Sequence, residues 1–298
     1  MCKLYPNMHI KCVNYANKFV NKETIVTENY SIPVVMCFSG NDPTGGAGIQ
    51  ADIETLSGMG CHAAPVITSL TVQDTRNVKG YYPLDASMIV EQARSVLEDM
   101  PVSAFKIGML GSVEAVEAVH SVLVDYPDLP VILDPVFTAG GGTSLADGEM
   151  IEVMNRMLLP ITTIIVPNSE EARVLAKEAD VLEACAQEIM DTGCEYVMIT
   201  GGHEPTEKVQ NMFYGNNRLL DSFEWERLPG SYHGSGCTLA SGIAGLMAHG
   251  LDPLSAVLEA QEYTWKSLKF ASRLGMGQLM PNRFFWAQLE ESESEDDE

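Results

Sequence analysis

VVMCFSGNDPTGGAGIQADIETLSGMG, Val34 to Gly60, sets the architecture of this chain. An apolar run ends in a polar, glycine-rich turn, and the turn opens into a segment whose apolar residues fall at helical spacing. A buried strand feeding a helix through such a turn is the first half of a βαβ unit. The alternation returns downstream: AFKIGML before VEAVEAVHSVLVDY, VILDPV before GEMIEVMNRMLL, TIIVPN before SEEARVLAKEA, and YVMIT after ACAQEIMDTG. These runs predict an α/β chain with a mainly parallel central sheet flanked by helices. NMFYGNNRLLDSFEWE breaks the order, and its two strand-like runs around Gly215-Asn216-Asn217 predict a hairpin forming a small antiparallel edge. No repeat of about 20 to 50 residues is evident.

The chain has 298 residues, and its 46% apolar content supports a sizeable core. Eighteen basic residues face 41 acidic ones, a formal charge of −23, opposite to the footprint of a nucleic-acid binder. EESESEDDE at 290–298 reads as a solvated tail, and residues 1–31 show no sustained periodicity, so the folded domain is placed at 32–288 with poorly ordered ends. Seven cysteines at 2, 12, 37, 61, 185, 194 and 237 form no CxxC pair, which suits reduced thiols in a cytosolic protein. No segment approaches membrane-spanning length, and the N-terminal stretch lacks the continuous apolar run of a secretory signal. Neither nucleic acid nor membrane is an expected partner.

In an open parallel sheet, ligands bind beyond the carboxyl ends of the strands. The unusual residues fall there: Ser39 to Asp52 after the first strand, Asp134-Pro135-Val136 after VIL, Pro167-Asn168 after TIIV, and Thr200-Gly201-Gly202 after YVMI. Together they point to one cleft. HGSGCTLASGIAG, His233 to Gly245, adds a glycine-serine turn opening a helix, whose uncommitted N–H groups and dipole attract an anion. The first loop does not match GxxxxGK[ST], so a Walker phosphate loop is not supported. Asn168-Ser169-Glu170-Glu171 fits an N-cap residue with glutamate three later, a capping box that needs no metal.

GNDPTGGAGIQAD, FKIGML, LDPV, PNSEEA, GGH and HGSGCTLASG occur in the order found in hydroxymethylpyrimidine/phosphomethylpyrimidine kinases, the thiamine-pathway members of the ribokinase-like superfamily, which the chain resembles from about Val34 to Phe285. LGMGQLMPNRFF, Leu274 to Phe285, is similar to a degraded form of the family's C-terminal glycine-rich element. The resemblance implies a ribokinase-like three-layer fold and phosphorylation of 4-amino-5-hydroxymethyl-2-methylpyrimidine and its monophosphate, with ATP and Mg²⁺ as cofactors. It assigns the first loop, with Gly40, Asp42 and Ala47, to the alcohol substrate. Gln73 would recognise the aminopyrimidine, because a carboxamide offers a donor and an acceptor side by side, with Met109 and Val136 on either side of the ring. Asn168, Glu171 and Asp134 would organise Mg²⁺ and its waters, and Thr200 and Gly202 would border the nucleotide. Gly234, Ser235 and Gly236 would hold the transferring phosphoryl group.

Cys237 stands where most members of the superfamily have an aspartate base. A free cysteine thiol titrates at about 8.5, and a helix N-terminus lowers this value, so some thiolate near neutrality is expected. Two departures from the family pattern bear on rate and specificity: Thr200 replaces the usual Lys before GGH, and Phe137 with Gly140 to Gly142 replaces a Met and a Ser/Lys-rich segment. The leading alternatives are a pyridoxal kinase of the same cysteine-bearing group and a catalytically weak pyrimidine-binding regulatory protein. A homodimer remains among the open assembly states.

Overall fold

A computed structural model describes residues 32–287. The expectations for residues 1–31 and for the acidic tail lie outside the described residues. Among the described residues, nine strands form one sheet in the order β3-β2-β1-β4-β5-β6-β7-β8-β9. They are β1 (Val34–Asn41), β2 (His62–Gln73), β3 (Val78–Pro83), β4 (Val102–Ile107), β5 (Val131–Leu133), β6 (Ile164–Ile165), β7 (Tyr196–Ile199), β8 (Lys208–Gly215) and β9 (Arg218–Glu226). Across the sheet, the six strands from β2 to β7 pair in parallel. β3 closes one edge antiparallel to β2, and the β8–β9 hairpin closes the other.

The mainly parallel sheet and the hairpin agree with the sequence reading. Asn216 and Asn217 both take positive φ, 52° and 54°, as a two-residue type I′ turn requires. The antiparallel edge at β3 goes beyond that reading. β2 carries Pro65 near its start, and a proline demotes a run that otherwise reads as a strand.

Helices α1 (Gly48–Gly58), α2 (Ala86–Leu97), α3 (Val113–Leu123), α4 (Gly148–Met157), α5 (Ser169–Leu175), α6 (Leu182–Asp191), α7 (Ser235–Ala248) and α8 (Pro253–Lys269) cover both faces. β1 shows how one strand serves both layers. Val34, Met36 and Phe38 face the core under α2 to α6, whereas Val35 and Cys37 face the core under α1, α7 and α8. Burial on both faces explains the unbroken apolar run, and a fully buried residue such as Phe38 contributes about 1.5–3 kcal/mol. Strand order reverses between β1 and its neighbours β2 and β4, which opens a crevice at their carboxyl ends.

Candidate active site

A cleft of about 710 Å³ occupies that crevice, and every candidate site residue named from the sequence lines it. One end is an apolar chamber of Val78, Met109 and Leu145, with Tyr81, Val136 and Ala139 packed against them. Gln73 borders this chamber, and its side-chain amide donates a hydrogen bond to Thr71 Oγ1 at 2.7 Å.

The loop after β1 is built around Asp42. Its carboxylate accepts from the Thr44 N–H and hydroxyl at 2.8 Å, from the Ala47 N–H at 2.8 Å and from His233 Nε2 at 2.8 Å. Burial would raise the Asp42 pKa, but the bonds from His233 and Thr44 outweigh it and hold the carboxyl below its ordinary value. The side chain therefore shapes the loop that borders the cleft. Gly46 is needed for packing: a Cβ there would lie 2.3 Å from the His233 ring and 2.4 Å from Met280 Sδ.

Across the cleft, Gly234 caps α7 in the left-handed conformation, φ 73° and ψ 22°. The first helical bond runs from the Thr238 N–H to the Gly234 carbonyl, so the Ser235, Gly236 and Cys237 amides precede the intrahelical ladder. The glycine-serine turn read from the sequence thus has its uncommitted amides at the cleft wall.

Cys237 departs from the expectation of a lowered pKa. Burial pushes its thiol up to about 12; Lys106 opposes this, and the Asp134 and Asp52 carboxylates add to it. Burial and the two carboxylates outweigh Lys106 and a helix terminus, whose effect is modest. Beneath the turn, Lys106 and Asp52 form an ion pair at 2.8 Å with both side chains fully buried. Burial alone would lower the Lys106 pKa, but Asp52, Cys237 and Asp134 hold it above its ordinary value. Ser241 on α7 donates to Asp52 Oδ1 at 2.6 Å, so the pair joins β4, α1 and α7.

Asp134 is buried, its Oδ2 has no hydrogen-bond partner, and burial raises its pKa despite Lys106. The capping box at α5 is present: Asn168 Oδ1 accepts from the Glu170 and Glu171 N–H groups at 2.9 Å, and the Asn168 N–H donates to Glu171 Oε2 at 2.8 Å. Burial, then Asp134, pushes Glu171 up to about 8. A buried Asp134 with an orphan oxygen and a half-buried Glu171, both with raised pKa values, form a hard-oxygen donor set suited to Mg²⁺, which takes one or two carboxylates and otherwise keeps water or phosphate ligands. Among the described residues no cluster of three or more His, Cys, Asp or Glu makes an all-protein metal cage.

The far end passes Thr200 and Gly202 to Trp225, Trp265 and Leu268. Arg227 is the one Lys or Arg on the described cleft wall, and it donates to the Gly202, Glu204 and Thr206 carbonyls at 2.8–2.9 Å. His233, Arg227, the two tryptophans and the Lys106–Asp52 pair were not found from the sequence. For Lys106 a signal existed: a lysine inside the apolar strand run FKIGML demands a buried partner.

The family model for phosphomethylpyrimidine kinase matches residues 42–282. The hydroxymethylpyrimidine/phosphomethylpyrimidine kinase of Streptomyces coelicolor is 34% identical over 273 residues, 89% of this chain and 98% of that protein. The thiamine biosynthesis bifunctional protein ThiED of Geobacter sulfurreducens is 32% identical over 259 residues, 85% of this chain, which spans 53% of that longer protein. Among solved structures, an ADP complex of Bacillus subtilis pyridoxal kinase superposes with a TM-score of 0.80 at 26% identity, covering 86% of this chain and 99% of that one. With its sequence matched over most of its length and its motifs gathered at one cleft, this chain belongs to the phosphomethylpyrimidine kinase family.

Proposed function

We propose that the protein transfers the γ-phosphoryl group of ATP to the hydroxymethyl oxygen of 4-amino-5-hydroxymethyl-2-methylpyrimidine, and a second one to the phosphate of the product. The observation that carries this reading is the position of the Ser235-Gly236-Cys237 amides, on the wall of one cleft that also holds the apolar chamber beside Gln73 and the aromatic far end. Met109 and Val136 would cover a flat ring, Gln73 would pair with its ring nitrogen and amino group, and the nucleotide would extend past Thr200 and Gly202. Gly40, Asp42 and Ala47 would form the wall against the alcohol.

Asp134 and Glu171 would hold Mg²⁺ directly or through its waters, with Asn168 fixing Glu171 by the capping box. Bound there, Mg²⁺ supplies charge neutralisation to the nucleotide phosphates. What supports a cation there is the lining, which includes Asp42, Asp134, Glu170, Glu171 and Glu226 but a single arginine. A cation held there would favour the ionised forms of Asp134 and Glu171 and offset their charge beside a polyphosphate.

Steady-state ATP consumption with the pyrimidine alcohol, its monophosphate and pyridoxal tests the reading. Turnover with the pyrimidines and little with pyridoxal is expected; the reverse would make the chain a pyridoxal kinase, and no turnover with any of them would favour a binding protein. Gln73→Ala should raise KM for the pyrimidine several-fold, because paired hydrogen bonds of about 0.5–1.5 kcal/mol each are lost, and should leave KM for ATP unchanged. Equal pyrimidine KM in both proteins would remove Gln73 from the site.

A thiol at about 12 is neutral near pH 7, so the Ser235, Gly236 and Cys237 amides, rather than a standing thiolate, would stabilise the transferring group, and Asp134 and Glu171 would hold the cation that adds charge neutralisation. Phosphoryl transfer through a loose transition state tolerates this, and the monophosphate brings an oxygen that is already anionic. Cys237→Ser should retain alcohol phosphorylation within about tenfold, short of the roughly 10²–10⁴ typical of a lost general base. Rates over roughly pH 6 to 9 should show no inflection from this thiol. An inflection that disappears in Cys237→Ser would restore the thiolate base.

A further inference from the structure

Arg283 heads the fully buried side chains by size, yet the reaction read above gives it no task. Its guanidinium reaches three elements at once. Nη2 donates to the Gly46 carbonyl at 2.6 Å, Nε donates to Thr238 Oγ1 at 3.0 Å, and Nη1 pairs with Glu54 Oε2 at 2.9 Å. Gly46 belongs to the loop assigned to the alcohol, Thr238 to the first turns of α7, and Glu54 to α1.

The bond to Thr238 goes further than packing. The Thr238 hydroxyl itself donates to the Gly234 carbonyl at 2.8 Å, so the chain of bonds runs from Arg283 through one hydroxyl to the residue that caps the anion-binding turn. On the opposite side, Gly234 lies against the Gly46 carbonyl so closely that a Cβ would come within 2.0 Å of it. One guanidinium thus grips the alcohol-side loop directly and the phosphate-side turn through a single relay. Its own backbone is pinned, because the Tyr263 hydroxyl donates to the Arg283 carbonyl at 2.7 Å.

We propose that Arg283 is a positioning residue that fixes the gap between the alcohol-side loop and the anion-binding turn, and so the alignment of acceptor oxygen and phosphoryl group. This rests on the kinase reading above. Arginine suits the task because its planar fork presents donors in fixed directions, which a lysine ammonium cannot reproduce. Misplacement of about 1 Å between reacting groups is enough to lower a rate about a hundredfold.

Arg283→Lys and Thr238→Val test the clamp in the full chain. Arg283→Lys should lower kcat for both phosphorylations about a hundredfold and Thr238→Val about tenfold, each with KM for ATP unchanged and rates expressed per folded molecule. Hydrogen exchange should quicken at residues 45–48 and 234–237 and stay unchanged in β4 to β7. Because Thr238→Val keeps the guanidinium and its bonds to Gly46 and Glu54, it carries the test if Arg283→Lys fails to fold. Wild-type kcat with unchanged exchange in either folded variant overturns the clamp. An inactive wild type overturns the kinase reading alone, and the exchange measurement still decides whether Arg283 holds the two loops together.

Discussion

Lys106→Met should lower the melting temperature by roughly 6 to 20 °C, from a loss of about 3–5 kcal/mol for a buried charge left without its partner. Lys106 and Asp52 are both fully buried and 2.8 Å apart, and Asp52 Oδ2 already lacks a hydrogen-bond partner. Removing the ammonium leaves the Asp52 carboxylate in the same enclosure as Asp134 and Cys237. The methionine fills most of the vacated space, so the loss is electrostatic rather than a cavity. A double variant, Lys106→Met with Asp52→Leu, should recover much of the loss, since an apolar pair often replaces a buried ion pair at little cost. Thermal unfolding of the two single variants and the double measures the coupling. A Lys106→Met protein as stable as wild type would mean that the pair is dispensable to the fold.

That pair also shows where sequence reading stops. Val34 to Gly60 states its fold openly, because a strand buried on both faces must be apolar throughout and the turn after it must be glycine-rich. The cleft residues were equally legible, since strand ends in a parallel sheet collect ligands and each loop carried polar residues or glycines out of keeping with a core. Lys106 and Asp52 lie on β4 and α1, far apart in the chain, and meet only once those elements have packed. His233 and Asp42, and Arg283 and Gly46, are likewise long-range partners that no local period marks. Gly46 stands in a glycine-rich turn plain in the sequence, but what packs against it, His233 and Met280, comes from distant parts of the chain.

The thiol failed for a related reason. A helix N-terminus is readable in Gly234-Ser235-Gly236-Cys237, and taken alone it lowers a cysteine pKa. Burial and the carboxylates of Asp134 and Asp52 come from other strands and helices, and they reverse the sign. The electrostatics of the site therefore belong to the tertiary structure, whereas its backbone chemistry is written locally. This division places the greatest catalytic sensitivity on glycines rather than on the cysteine.

Gly234→Ala is accordingly expected to lower kcat for both phosphorylations at least about a hundredfold, through displacement of the anion-binding turn. Two effects add. The residue holds φ 73°, where a side chain costs about 1–2 kcal/mol, and its Cβ would lie 2.0 Å from the Gly46 carbonyl oxygen, 2.9 Å from its carbon and 2.8 Å from Ala47 Cα. All three are main-chain atoms that cannot swing aside, so the loop and the turn must part. Gly45→Ala separates the contributions: it carries the same left-handed strain, φ 80°, with nothing within 4 Å of the added Cβ, and should shift the melting temperature by the strain alone. Gly236→Ala supplies the opposite control. Its Cβ would meet only Asp134 Oδ1 at 3.6 Å and Oδ2 at 3.9 Å, its φ is not left-handed, and alanine is the better helix former by about 1 kcal/mol. Stability should hold or rise there, so any loss of turnover reports crowding at the turn proposed to hold the phosphoryl group. Melting temperatures and single-turnover rates of the three variants distinguish strain, collision and crowding. A Gly234→Ala enzyme within about tenfold of wild-type kcat would show that the two loops tolerate separation, and would remove their contact as the element that aligns acceptor and donor.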